Sequence, residues 1–122
     1  MILGIGVDIV DIQRIKASLE RFGGSFASKL FTDHEIAYCE AKAFPAQHYA
    51  ARFAAKEAFS KAIATGWAGS FRWKDVEVVN DAQGKPSFRL HGPTADQYGA
   101  RSIMLSLTHT DTSAAAFVII QE

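Results

Sequence analysis

Tyr49-Ala-Ala-Arg52-Phe-Ala-Ala-Lys56-Glu57-Ala-Phe-Ser60-Lys61-Ala-Ile-Ala-Thr-Gly66 is both the strongest helix signal in the chain and its densest cluster of reactive side chains. Alanine has the best intrinsic helix propensity, no proline interrupts the run, and Gly66 offers the left-handed residue that commonly closes a helix. At a period near 3.6, Ala50, Ala51, Ala54, Ala55, Ala58, Phe59, Ala62 and Ile63 fall in adjacent pairs on one side, which is predicted to be buried. The other side carries Arg52, Lys56, Glu57, Ser60 and Lys61, with Phe53 at its edge. Taken alone, that side reads as a solvated face with a Glu57–Lys61 pair one turn apart, worth about 0.3 kcal/mol. What the other segments bring to it decides whether it is more than that.

A chain of 122 residues is expected to fold as one domain spanning residues 1–122, because a second independent core would not fit. Hydrophobic content of 48% with 21% charged residues excludes disorder as the default. Zero net charge argues against a protein whose main partner is nucleic acid. Cys39 is the single cysteine, so neither an internal disulfide nor a thiolate metal site is available; it reads as a small core residue in a reducing compartment. Asp8 interrupts the first apolar segment, against a secretory signal, and the apolar run Ala114 to Ile120 is too short to span a bilayer as a helix. The expectation is a cytoplasmic protein without a membrane partner.

Residues 2–10 read as a strand, with Ile5, Val7 and Ile9 on one face and Gly4, Gly6, Asp8 and Val10 on the other. A carboxylate in such a strand is costly to bury alone, so Asp8 calls for a cation, a donor cluster or an edge position. Asp11 is placed to cap a helix through Ile12, Ile15, Leu19 and Phe22, stopped by Gly23-Gly24. Arg14, Lys16 and Arg21 on that helix, with Lys29 close behind, make a modestly basic surface suited to an acidic partner. Thr32-Asp33-His34-Glu35 fits a capping box, opening a helix that runs to about Lys42 or Ala43 before Pro45. His34 and His48 read as exposed first-turn residues.

Thr65 to Ser70 reads as an irregular glycine-punctuated loop, and no nucleotide-cradling fingerprint is present in the chain. Trp73 to Val79 and Ser87 to Leu90 read as strands joined by a turn whose tip is Gly84-Lys85-Pro86. A short helix from Thr94 to Tyr98 follows, then strands Ile103 to Thr108 and Ser113 to Ile120 joined by His109-Thr110-Asp111-Thr112. Ser106, His109 and Asp111 invite a triad reading, which fails because three residues within six positions of one hairpin rarely converge in the required geometry.

Two isolated carboxylates, Asp8 on a strand and Glu57 on a helix, are the sparse oxygen set that suits magnesium, an ion that keeps several waters and takes further ligands from a substrate phosphate. Lys56, Lys61 and Arg52 on the same helix would suit a pyrophosphate, with Lys85 and His109 as further candidates.

Three blocks then stand out together: Gly4-Ile5-Gly6-Val7-Asp8-Ile9-Val10 followed by Arg14-Ile15, Arg52-Phe53-Ala54-Ala55-Lys56-Glu57-Ala58-Phe59-Ser60-Lys61-Ala62, and Leu105-Ser106-Leu107-Thr108-His109-Thr110 before an apolar strand. In order and spacing over nearly the whole chain, they closely resemble the holo-[acyl-carrier-protein] synthases, the small 4'-phosphopantetheinyl transferases. The resemblance implies magnesium-dependent transfer of the 4'-phosphopantetheine arm of coenzyme A to a serine of apo acyl carrier protein, releasing adenosine 3',5'-bisphosphate, in fatty acid biosynthesis. It implies Asp8 and Glu57 as metal ligands and Glu57 and Lys61 as the catalytic pair. Arg52, Lys56, Lys61, the turn Gly84, Lys85 and Pro86, and His109 with Thr110 would hold coenzyme A, and Arg14 and Arg21 would receive the carrier protein. It further implies a homotrimer with sites at subunit interfaces. The group that takes the serine proton stays open among Glu57, which is favoured, a metal-bound water and the Asp33 and Glu35 region. The expected fold is α+β, an antiparallel sheet wrapped around a long central helix. The competing readings are a non-catalytic oligomeric module that binds a nucleotide-like ligand or acidic partner, and a metal-dependent phosphohydrolase.

Overall fold

Gly4 and Gly6 lie directly against a helix backbone, and this contact fixes the architecture. The structure, a computed structural model, describes residues 1–64 and 71–122. Strand β1 (Ile2–Asp11) crosses helix α4 (Pro45–Ala62) so closely that a Cβ on Gly6 would stand 1.8 Å from the Ala58 carbonyl oxygen, and one on Gly4 2.0 Å from that of Ala62. Between them come α1 (Ile12–Phe22), α2 (Gly24–Leu30) and α3 (Asp33–Glu40). After α4 follow a 3-10 turn at Trp73–Asp75, β2 (Val76–Asn80), β3 (Pro86–Leu90), α5 (Gly92–Tyr98), β4 (Ser102–His109) and β5 (Ser113–Gln121). One antiparallel sheet has the order β1-β5-β4, and β2 and β3 form a second antiparallel pair.

Helix α4 is the shared core of both sheets. Ala54, Ala58 and Ala62 pack beneath β1 and β5, where Ala116, Val118 and Ile120 meet them. Alanines on the helix and glycines on β1 allow this approach. Phe59 faces the second sheet and is ringed by Phe71, Phe88 and Tyr98 at centroid separations of 6.3, 5.4 and 6.0 Å. Full burial of such a ring contributes about 2–3 kcal/mol. A further cluster of Ile15, Leu30, Phe31, Cys39, Tyr49 and Ala114 seats the first three helices. Burial pushes the Cys39 thiol up to about 12, in keeping with a packing role. The expected α+β arrangement of antiparallel strands around a central helix is therefore the one observed.

Boundaries differ in instructive ways. Helix α4 begins at Pro45 rather than Tyr49, because proline at the first helical position has no amide to leave unsatisfied. Gly66 and the expected loop from Thr65 to Ser70 lie outside the described residues. Gly23-Gly24 ends α1 as expected, with Gly23 at φ 56° donating its amide to the Leu19 carbonyl, but the chain re-enters helix at once as α2. Residues 73–75 form a 3-10 turn instead of the start of a strand. Asp11 caps α1 through the Gln13 amide, and Thr32 and Glu35 form the expected capping box. The helix it opens, α3, ends at Glu40, short of Lys42.

The glycine contact makes a direct prediction. Gly6→Ala forces the strand off the helix and is expected to lower unfolding free energy in urea by about 3 kcal/mol. A loss under about 1 kcal/mol, within the range of an ordinary strand substitution, would contradict the close approach.

Candidate active site

Around α4 the polar residues expected on one face divide into two sets. Glu57 and Lys61, with Phe53 a turn earlier, form an open strip, half-buried at Phe53 and Glu57 and exposed at Lys61. Arg52, Lys56 and Ser60 are buried. The solvated face is thus narrower than the sequence periodicity suggests, because the second sheet covers the rest of it.

The open strip faces β1. Lys61 Nζ donates to Asp8 Oδ1 at 3.0 Å and to the Val7 carbonyl at 3.1 Å, so the cation demanded by Asp8 is supplied by this helix. The expected Glu57–Lys61 pair gives way to this bond, since the crossing strand presents a carboxylate closer to the ammonium. Glu57 stands beside them: burial first, and then the negative charge of Asp8, raise its carboxyl above the usual range, with Lys61 opposing. Two carboxylates thus repel each other across a cleft of about 390 Å³ that is also lined by Asp11, Arg14, Ser18, Phe26 and Phe53. Such a surplus of negative charge on hard oxygen donors fits a divalent cation that completes its shell with water and phosphate.

A second cleft, of about 240 Å³, gathers Arg52, Gly84, Pro86 and His109 with Tyr38, His48 and Asn80. Arg52 donates to Asn80 Oδ1 at 2.7 Å and stacks 4.0 Å from the Tyr38 ring, while Asn80 Nδ2 holds the Gly84 carbonyl. That chain fixes the hairpin turn, where Gly84 takes φ 87° and Asp81 accepts from the Gln83 and Lys85 amides. Lys85 is exposed at the tip, and the Thr110 hydroxyl accepts from the Thr112 and Ser113 amides, closing the last hairpin. His48 is half-buried against Tyr38 rather than exposed, and burial lowers its pKa. His34 is exposed as expected. Asn80 and Tyr38 are not singled out by the sequence; an asparagine opening a turn signals only the turn.

The two clefts share no lining residue and belong to opposite edges of the three-stranded sheet, Asp8 to Val10 on β1 and Leu107 to His109 on β4. Arg14 and Arg21 are exposed two turns apart on α1, Arg14 at the mouth of the first cleft and Arg21 5.2 Å from the Phe22 ring.

Lys56 requires a correction. Its ammonium is fully buried and donates to Glu35 Oε1 at 2.9 Å and to the carbonyls of Trp73 and Val76 at 2.9 and 2.8 Å. All three donors are engaged, so it does not reach a phosphate. Burial lowers its pKa while Glu35 supports the charge. Glu35 also receives the Thr32 and Val78 amides and is fully buried, which removes it as a proton acceptor for substrate; Asp33 of the same segment stays exposed. Thr32 continues the network to Glu77, which His91 also holds.

Carboxylates and a lysine on a strand and helix that cross at a cleft are the donor set of a phosphoryl-transfer enzyme. The family model of the 4'-phosphopantetheinyl transferase superfamily matches residues 4–116. Holo-[acyl-carrier-protein] synthase from Solibacter usitatus is 48% identical, covering 99% of both chains. Among solved structures, the Neisseria meningitidis synthase aligns at TM-score 0.89 with 36% identity over 100% of both chains. The Helicobacter pylori synthase, solved in complex with coenzyme A, aligns at 0.86 with 30% identity, covering 96% of this chain and 99% of that one. The chain belongs to the holo-[acyl-carrier-protein] synthase family of that superfamily.

The two lysines are expected to separate in stability. Lys56→Met strands a buried carboxylate and should cost about 3 kcal/mol or more, whereas Lys61→Met breaks a half-exposed pair worth about 1 kcal/mol or less. Urea unfolding of both variants checks this, and equal losses would contradict the assignment of Lys56 to the core.

Proposed function

We propose that this chain transfers the 4'-phosphopantetheine arm of coenzyme A to a serine hydroxyl of apo acyl carrier protein, releasing adenosine 3',5'-bisphosphate, as a step of fatty acid biosynthesis. One observation carries the reading: Asp8 and Glu57 line a cleft that Arg14 borders, with Lys61 bonded to Asp8, in a chain related over its full length to synthases of this kind. It acts as one transferase domain, residues 1–122, in the cytoplasm; among the described residues no helix is long and apolar enough to cross a membrane.

Asp8 and Glu57 would hold magnesium in this reading, and such an ion would supply positive charge against the pyrophosphate. Lys61 meets the pyrophosphate from the same strip of α4 and offsets the charge that grows on the leaving bisphosphate. The attacking oxygen comes from the carrier protein's serine, so the reaction needs no nucleophile from this chain. Its bond to phosphorus forms as the phosphorus–oxygen bond to the leaving bisphosphate breaks, and the serine proton passes to Glu57 directly or through water.

Arg52, Gly84, Pro86 and His109 of the other cleft, with Lys85 and Thr110 next to them in the chain, grip the remainder of coenzyme A. Arg14 and Arg21 receive the acidic carrier protein beside the carboxylates. A homotrimer unites the two clefts: the outer sheet face exposes Leu3, Ile5, Val7, Ile9, Met104 and Phe117, 39–71% accessible, an apolar band between the two edges that a neighbouring copy would cover.

The deciding experiment is mass spectrometry of apo acyl carrier protein incubated with the chain, coenzyme A and magnesium. The carrier gains the mass of the phosphopantetheine arm, and Asp8→Ala and Glu57→Ala lose the gain. An unmodified carrier overturns the reading, and phosphate ester hydrolysis without a protein product favours a phosphohydrolase instead.

A further inference from the structure

We propose that Lys61 competes with the divalent cation for Asp8, so that this one side chain couples cation binding to pyrophosphate binding. Two of the three ammonium protons point at β1, toward Asp8 Oδ1 at 3.0 Å and the Val7 carbonyl at 3.1 Å. Asp8 is held in place: its side chain is only 16% exposed, on a strand paired through Ala116 of β5. The Lys61 side chain is 53% exposed on a four-carbon stem, so it is the member of the pair that can swing.

A cation taking Asp8 as a ligand meets an ammonium already on the same oxygen. Like charges at that separation repel strongly, and the lysine must give way. Once displaced, it has no other carboxylate on its own strip except Glu57, which the same cation occupies. A pyrophosphate supplies the replacement anion. Each ligand thus removes an obstacle to the other, and by linkage the coupling is reciprocal. Other charges at the cleft do not take over this role. Asp11 is committed to the α1 amide of Gln13, and Arg14 lies on α1 rather than on the helix that carries Glu57.

The inference rests on the reading of Asp8 as cation ligand and Lys61 as pyrophosphate ligand, and the test separates the two. The binding of Mn²⁺ to the full chain is measured by electron paramagnetic resonance, without and with coenzyme A. Lys61→Gln is expected to bind Mn²⁺ alone about fivefold tighter than wild type, from loss of one competing positive charge. Coenzyme A should then tighten Mn²⁺ less in this variant than in wild type. Lys61→Arg, which keeps the charge, stays near wild type. If Lys61→Gln binds Mn²⁺ no tighter while Asp8→Asn loses the ion, the competition is wrong and the ligand assignment stands. If Asp8→Asn binds Mn²⁺ as wild type does, the ligand assignment itself fails and the competition falls with it.

Discussion

The backbone of β1 touches the backbone of α4, and nearly everything else in the molecule follows from that contact. Only glycine permits it, because any Cβ at position 4 or 6 would collide with a helix carbonyl. Since side chains alternate along a strand, the residue that follows on the same face is Asp8. Its carboxylate is thereby brought to the helix at the level of Glu57 and Lys61. The same alternation turns Ile5, Val7 and Ile9 outward, so that the constraint that builds the cleft also exposes the apolar band.

Charge is sorted around α4 by what covers each side. Toward the second sheet, Lys56 satisfies two carbonyls and the buried Glu35, tying α3, α4 and β2 into one unit. Removing one member of such a pair is far more costly than exchanging both for apolar groups, so the pair specifies the arrangement more than it stabilises it. On the open strip, by contrast, Glu57 is partly accessible to ligands and Lys61 more than half so, and their interactions are exchangeable. One helix carries a buried lysine and an exposed one, five residues apart.

Much of this was legible in the sequence. Asp8 in an apolar strand called for a cation, a donor cluster or an edge position, and it has both the Lys61 cation and an edge strand, while the alanine pairs marked the buried face of the helix. The caps at Asp11 and Thr32 placed two helix starts to the residue. What periodicity could not say was how much of the helix is covered. It assigns angles around an axis, but the carbonyls of Trp73 and Val76 that claim Lys56 come from a segment with no local signal of such a need. Glu35 was hidden for a related reason: its capping role was sufficient to explain it, so its further bonds to Lys56 and the Val78 amide left no trace. Likewise Gly23-Gly24 reads as a stop, and the packing of Ala27 and Leu30 that restarts the helix is tertiary.

The central claim is that one chain carries the two halves of a working site on opposite sheet edges, to be joined by a neighbouring copy. Mixed oligomers test it most directly. Glu57→Gln and His109→Ala, each poorly active alone, are denatured together, refolded and assayed for carrier-protein modification. Assembly across copies predicts that the mixture regains activity well above the sum of the two variants, because some interfaces then pair an intact Glu57 edge with an intact His109 edge. Activity equal to that sum would contradict the claim.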